Sequence, residues 1–318
     1  NKIKINGTIR LDKNENFDFN FSPAASIIYK NNDHIFRLSF SSAIRNPTLS
    51  DQYLYYNVGR AILIGNLSGH GRDYGENLVT IQSLVNYFLP SLEERSKDSL
   101  QFFSVNPIRP EKAKSTEIGY RTTLFDKIYV DANYYYSRYI DFIGYKLGVK
   151  YQTLQDDTIT GAYEISLPSI QVYWMAANAE TIVTTKGASI GINYFMTPNI
   201  TINGNYSWNK LNKAGSEDPI IPAYNTPEHK YNIGISTREI HLSNNQSLFR
   251  DLSFTINYKW VQGFQYEGSP QFTGNVPTYD LVDMQISKKI PKYSTILKLG
   301  ASNLLNNLHY EVYGGPYI

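Results

Sequence analysis

The sequence contains no cysteine, which excludes disulfides and cysteine-ligated zinc; the compartment stays open, because only the presence of disulfides points to an oxidising space. It contains no run of about 18 apolar residues, which excludes a transmembrane helix, and a mean hydropathy of −0.37 agrees. An excess of one charge is missing too. Thirty basic and 28 acidic residues leave a net charge of +2, whereas a nucleic-acid binder concentrates basic charge, so no nucleic-acid partner is expected. The opening stretch, NKIKINGTIRLDK, lacks the apolar centre of a signal peptide. The export signal is therefore expected either to have been removed or to lie earlier in a longer chain. There is no His-x-x-His run, no glycine-rich phosphate loop between a strand and a helix, and no paired-carboxylate or Ser-His-Asp arrangement. No metal, cofactor or enzymatic activity is expected.

What the chain does have is tyrosine, 27 residues in 318, with aromatics at 14%. Tyrosine favours strands and also suits a boundary between water and an oily phase. Its neighbours follow a period of two. In DLSFTINYKW (251–260), Leu252, Phe254, Ile256, Tyr258 and Trp260 alternate with Asp251, Ser253, Thr255, Asn257 and Lys259. Such alternation makes a strand with one dry and one wet face. The pattern recurs at 1–11, 16–30, 34–44, 114–125, 127–143, 181–196, 199–208, 229–237, 279–290 and 293–303, which predicts roughly eleven strands in all.

The connections alternate as well. KNND (30–33), FDK (125–127), TPN (197–199) and PK (291–292) have the chemistry of tight turns. The segments 45–113, 144–180, 209–228 and 263–278 are long, and 237–250 breaks the scheme by being long where a tight turn is due. Compact soluble domains rarely hold structureless loops of such length. Short turns at one end and long loops at the other predict an all-β, antiparallel, up-and-down transmembrane barrel, with short periplasmic turns and long extracellular loops. The wet faces carry mostly Ser, Thr, Asn and Gly, as the lining of a wide watery lumen would. Arg138 and Lys186 fall on dry-face parity, but toward the long-loop ends, where placement at the membrane edge is tolerable. Trp208, Tyr258 and Trp260 lie near the same ends and are expected to form an aromatic girdle. A secreted β-sandwich, with the dry faces packed on each other, is the alternative.

Eleven strands cannot close. Single-chain bacterial barrels have even strand numbers, and an open sheet would leave bare edges in lipid. The chain is therefore expected to be part of a larger barrel. NLLNNLHYEVYGGPYI (303–318) reads as a loop that stops where a return strand should begin.

Three spaced stretches, FRLSFSSAIRNPTLSDQY (36–53), NPIRPEKAKSTEIGYR (106–121) and LKLGASNLLNNLHYEVYGGPYI (297–318), carry a family resemblance. Their order and spacing resemble the carboxyl-terminal half of TonB-dependent outer-membrane transporters. Pro110, Glu111, Lys112, Glu117, Gly119 and Tyr120 match the stretch that follows the long external loop in that family. Asn303, Leu304, Leu305, Asn306 and Tyr310 match the end of its next-to-last strand. The Asn- and Tyr-rich idiom is similar to members from Bacteroidota. The resemblance implies a barrel of about 22 strands with a plugged lumen, of which residues 1–318 supply strands 11 to 21. The plug, the earlier strands and the last strand would lie outside this chain. It further implies an outer-membrane importer of a scarce solute (siderophore, vitamin, peptide or glycan), driven by TonB acting on the plug. Lipid and lipopolysaccharide would surround it. An import barrel lidded by a surface lipoprotein, and a passive porin or adhesion barrel, are the other readings.

Candidate solute contacts lie in the two longest loops: Tyr53, Tyr55, Tyr56 and Arg60 in the first, Tyr173 and Trp174 in the second, with Met175 beside them. Aromatic rings stack on sugars or apolar ligand faces, and Arg pairs with carboxylates or phosphates. Packing of the loops against each other is the competing role. Glu117 and Arg121 face the expected lumen. His70, between glycines in GNLSGHGRDYGEN, is expected to be solvated loop; the boxes that flank the haem-binding histidine in some members of the family are absent here.

Overall fold

The structure is a computed structural model that describes residues 2–59, 61–91, 94–156, 163–213, 224–240, 250–267 and 273–316. The chain opens with β1 (Ile3–Asp12), β2 (Asn20–Asn31) and β3 (His34–Arg45). The first long loop then carries α1 (Leu49–Tyr53), β4 (Tyr55–Asn57), β5 (Ile62–Ile64), β6 (His70–Gly71), β7 (Leu78–Val79), α2 (Ile81–Phe88) and β8 (Ser104–Val105). Next come β9 (Glu111–Leu124) and β10 (Ile128–Ile140), and a second long loop with β11 (Ile143–Lys150), β12 (Thr153–Asp156), β13 (Tyr163–Ile165) and β14 (Gln171–Asn178). The remaining strands are β15 (Val183–Thr197), β16 (Ile200–Lys213), β17 (His229–Thr237), β18 (Leu252–Val261), β19 (Phe264–Tyr266), β20 (Gly274–Val276), β21 (Tyr279–Ile290) and β22 (Thr295–Ala301).

Eleven of these strands form one antiparallel sheet in the order β1-β2-β3-β9-β10-β15-β16-β17-β18-β21-β22. They are the strands that the period-two pattern marks, and each pairs with its neighbour in that series. Tight turns join them at one end. Phe125 and Asp126 both have φ +53°, the left-handed pair of a turn that the Lys127 N–H closes onto the Leu124 carbonyl, and Asn32 and Ser294 are left-handed in two other turns. The turn segment 237–250 falls largely outside the described residues.

Register puts apolar side chains side by side on one face: Ile27 opposite Ile5 and Leu38, Ile118 opposite Leu38 and Tyr134, Ile256 opposite Ile235 and Met284. This face is bare. Ile5 is 73% exposed, Ile118 59%, Ile233 56% and Leu299 75%, and none of the three buried hydrophobic clusters includes an outward wall residue. A sandwich would have buried these side chains under a second sheet. The opposite face carries Asn6 hydrogen-bonded to Ser26, Ser115 to Ser137, and Ser189 to Asn133. It also carries an ionic triad in which Arg37 and Arg121 both hold Asp131, at 2.8 and 2.6 Å. Arg121 therefore pairs with Asp131 of the next strand.

The long loops depart from expectation. They are not structureless. The first two fold together into a five-stranded sheet, β4-β5-β14-β11-β7, in which β5 and β14 run parallel. Most of the buried apolar side chains belong to this cap. Ile62, Ile64, Leu78 and Met175 form a cluster with Val183, against which Tyr139 and Leu211 pack. Val183, Tyr139 and Leu211 come from the wall strands, on the polar-face parity, so the cap is seated on the inner side of the wall at its long-loop end.

Candidate functional site

The cap begins where β3 ends. The Thr48 side chain accepts from Asp51 N while Asp51 accepts from Thr48 N, a capping box that starts α1 directly after Pro47. Arg45 and the buried Glu111 pair at 2.7 Å across the loop's two roots, and Glu111 also accepts from Ile143 N at 2.9 Å. Glu111 thus ties together the first loop, the second loop and the wall. Asn66, fully buried, donates to the carbonyls of Asn106 and Ala176 and accepts from Gly69 N. One amide side chain pins the first loop to the second.

On this scaffold the candidate residues separate. Tyr53, Tyr55 and Tyr56 are 57, 70 and 60% exposed and stand together at the end of α1 and on the edge strand β4. Asn16 donates to the Tyr53 hydroxyl at 2.7 Å, which orients that ring. Tyr173 is half-buried on β14, with its ring under the Lys150 ammonium at 4.7 Å; burial raises its hydroxyl pKa, and the nearby Tyr55 and Glu76 add to the effect. Trp174 is 5% exposed and packs against Tyr145, and Met175 is fully buried. Both are cap core in this arrangement. Arg60 lies outside the described residues.

His70 is not solvated loop. Its ring lies 3.0 Å from the Gly65 carbonyl and 3.3 Å from Glu76 Oε2, and Lys150 Nζ is 2.6 Å from Glu76 Oε1. Burial pushes the Glu76 carboxyl up, but the Lys150 ammonium, the Gly71 N–H and His70 outweigh it and hold the group below the usual carboxylate range. Glu76 and Lys150 carry no local motif, and pairing of β11 with β7 is what brings them together. The result is a patch of phenols, one ammonium, one carboxylate and one imidazole, suited to stacking and hydrogen bonding. Among the described residues no three His, Asp or Glu side chains gather as a metal site.

The girdle candidates lie on the outward face. Trp208 donates to Glu228 at 3.2 Å and stands 5.9 Å from the Lys186 ammonium. Trp260 stacks on Tyr231 at 5.3 Å, and Tyr258 lies 6.1 Å from the same ring. All three sit toward the long-loop end.

The wall, with its bare outer face and polar inner face, has counterparts among known proteins. The sequence profile described as TonB dependent receptor-like, beta-barrel matches residues 1–304. The chain belongs to this family. Members of the TonB-dependent receptor family are outer-membrane β-barrels, and the eleven-stranded sheet is part of such a barrel. Solved structures agree on the fold. The FrpB iron transporter from Neisseria meningitidis (F5-1 variant) superposes with a TM-score of 0.59 at 14% identity, over 100% of this chain and 41% of that one. The siderophore receptor PirA from Acinetobacter baumannii gives 0.57 at 12% identity, over 96% and 40%. The copper transporter OprC gives 0.54 at 15% identity, over 92% and 34%. Residues 1–318 thus span about two fifths or less of the neighbours' length. No curated protein matches at the level of sequence.

Proposed function

We propose that residues 1–318 are the carboxyl-terminal part of the barrel of an outer-membrane importer, one that takes up a scarce solute by TonB-driven remodelling of a plug held in the lumen. In this reading the plug, the earlier strands and the last strand are supplied by the rest of the protein, and TonB acts through the plug. A siderophore, vitamin, peptide or glycan is the solute class. The iron and copper transporters and the siderophore receptor among the structural neighbours favour a metal chelate within that class.

The observation that carries the reading is the cap. Loops that merely shielded a passive pore would need no apolar core, yet these share one with inner-face residues Val183, Tyr139 and Leu211. A cap so seated can hold a solute over the lumen and pass it on when the interior changes. Tyr53, Tyr55 and Tyr56 provide the exposed stacking surface, with Tyr173 at its margin and Trp174 supporting it from beneath; Arg60, outside the described residues, is a further proposed contact. No covalent step is assigned to any residue.

The test is uptake by cells that express the full-length protein. Native mass spectrometry of the purified protein first identifies a retained solute. Its accumulation is then expected to require TonB and to stop when a protonophore collapses the inner-membrane gradient. Solute conduction in planar bilayers without TonB would replace this reading with a passive pore, and a co-purifying surface lipoprotein would move the solute site to the interface with that partner.

A further inference from the structure

The inner face gathers cations at the short-turn end. Lys2 just before β1, Lys4 on β1, Lys30 on β2, Arg37 on β3 and Arg121 on β9 all share the parity of the polar face, on four adjacent strands. Register sets them in two rows. In the row nearer the turn, Lys30 lies opposite Ile35 and Ile35 opposite Arg121, while the Lys30 backbone N–H donates to the Lys2 carbonyl. In the next row, Lys4 lies opposite Ile28, Ile28 opposite Arg37 and Arg37 opposite Gly119. Lys2, Lys4 and Lys30 are exposed, and none of them forms an ion pair among the described residues.

Among the described residues, the carboxylate beside these rows is Asp131 on β10. It holds both guanidinium groups, Arg37 Nη2 at 2.8 Å and Arg121 Nη2 at 2.6 Å. Asp33 and Asp126 stand out in the turns. Gly119 lets Arg37 lie flat across β9, since a Cβ there would fall 2.7 Å from Arg37 Nε. That Nε is buried without a hydrogen-bond partner among the described residues. Two forks on one carboxylate leave a positive charge in excess, and the three lysines add to it. Arg121 is three residues from Leu124, where β9 ends, or ~10 Å along a strand rising ~3.4 Å per residue. The cations therefore form a collar on this wall at the short-turn mouth of the lumen, at the opposite end from the cap.

Like charges gathered on one face of a sheet destabilise it. A concave lining of one sign against a low-dielectric wall focuses the field and concentrates ions of the other sign. Guanidinium forks match the paired oxygens of carboxylates and phosphates. We propose that this collar binds the anionic groups of the imported solute as it leaves the lumen, so that the solute carries carboxylates or phosphates. The assignment rests on the importer reading and narrows its solute to an anionic one. A chelate with carboxylate arms fits both.

The experiment uses the full-length protein in maltoside detergent, titrated with citrate or inorganic pyrophosphate, with sodium chloride at matched ionic strength as control. Wild type is compared with a variant carrying Lys2→Gln, Lys4→Gln and Lys30→Gln. A second variant carries Arg37→Gln, Arg121→Gln and Asp131→Asn, which removes the triad without orphaning a charge. Without added anion the lysine variant is expected to melt at or above the wild-type temperature, since unpaired like charges are gone. Citrate at about ten times its Kd is expected to raise the wild-type Tm by about 2 °C or more. Its affinity is expected to fall about fivefold or more in each variant. Should the triad variant fail to fold, the lysine variant decides. Equal shifts with chloride, or unchanged citrate affinity in the variants, overturn the proposal. So does a wild type that citrate does not stabilise together with a lysine variant that melts lower, which assigns the cations to carboxylates of the protein's own interior. TonB-dependent uptake without citrate binding keeps the importer reading and removes the anion collar; citrate binding that depends on the collar, without TonB-dependent uptake, keeps the anion site and removes the importer reading.

Discussion

Asn66 concentrates the cap's polar bonding in one side chain. It is fully buried, and its amide serves both long loops. Asn66→Ala would leave two carbonyls and one N–H without partners in a dry setting, each costing about 1–3 kcal/mol before relaxation. We expect ~2–4 kcal/mol of lost local stability, seen as faster hydrogen exchange across 62–70 and 174–178 with the wall amides unchanged. Glu76 sets a pH response at the same scale. Its carboxyl is held below its usual range by Lys150 and its other partners, so its contribution is complete above the ordinary carboxylate pKa and fades as pH falls through the lowered one. Acidification below about pH 4 is therefore expected to loosen β7 from β11, with exchange at 76–79 and 148–150 rising. In Glu76→Gln that pH dependence disappears, and the loosening at neutral pH is permanent. His70 reads as an exposed loop residue although two of its partners, the Gly65 carbonyl and the Glu76 carboxylate, lie within six residues of it; no period or motif marks that local fold, and Lys150 comes from the second loop.

Strands separate into two kinds. The wall strands are legible because one face meets lipid and the other meets water, so each writes a period of two into its sequence. On the outer face an Arg in the middle of the band costs about 2–4 kcal/mol. Ile233→Arg is expected to lose that much in urea-unfolding titrations of the barrel in lipid, whereas Ile233→Ala should cost clearly less. Three of the five cap strands, β4, β5 and β7, have only two or three residues, and cap pairing joins loops distant in the chain, such as β5 with β14. Three-residue strands cannot display a period, so their existence follows only from the partner. Gly65 shows how close the packing is: a Cβ there would fall on the backbone of Gln52 and Tyr53. Gly65→Ala is expected to displace α1 and with it Tyr53, Tyr55 and Tyr56, so that solute binding falls while heat-resistant barrel mobility on gels is retained.

As a whole the sheet is a wall with two open edges. Among the described residues β1 pairs only with β2, and β22 only with β21. Unpaired backbone groups in lipid cost several kcal/mol each, so residues 1–318 refolded alone into detergent are expected to aggregate or to stay outside the membrane-inserted state. A monodisperse, heat-resistant barrel from this segment alone would show that the edges close in another way, by self-association for example, and sedimentation would reveal the stoichiometry.

The wall was determined by the sequence alone. Alternation, turn chemistry and the contrast between long and short connections are local properties, and eleven strands with their facing follow from them because lipid and water sort side chains residue by residue. The cap was decided only by tertiary structure. Whether Trp174 is buried while Tyr53 stays exposed, whether Glu76 meets Lys150, and whether Lys114 faces Arg138 all depend on which distant segments pair and in what register. Those pairings come from apolar burial between loops, a collective effect that no single stretch of sequence records.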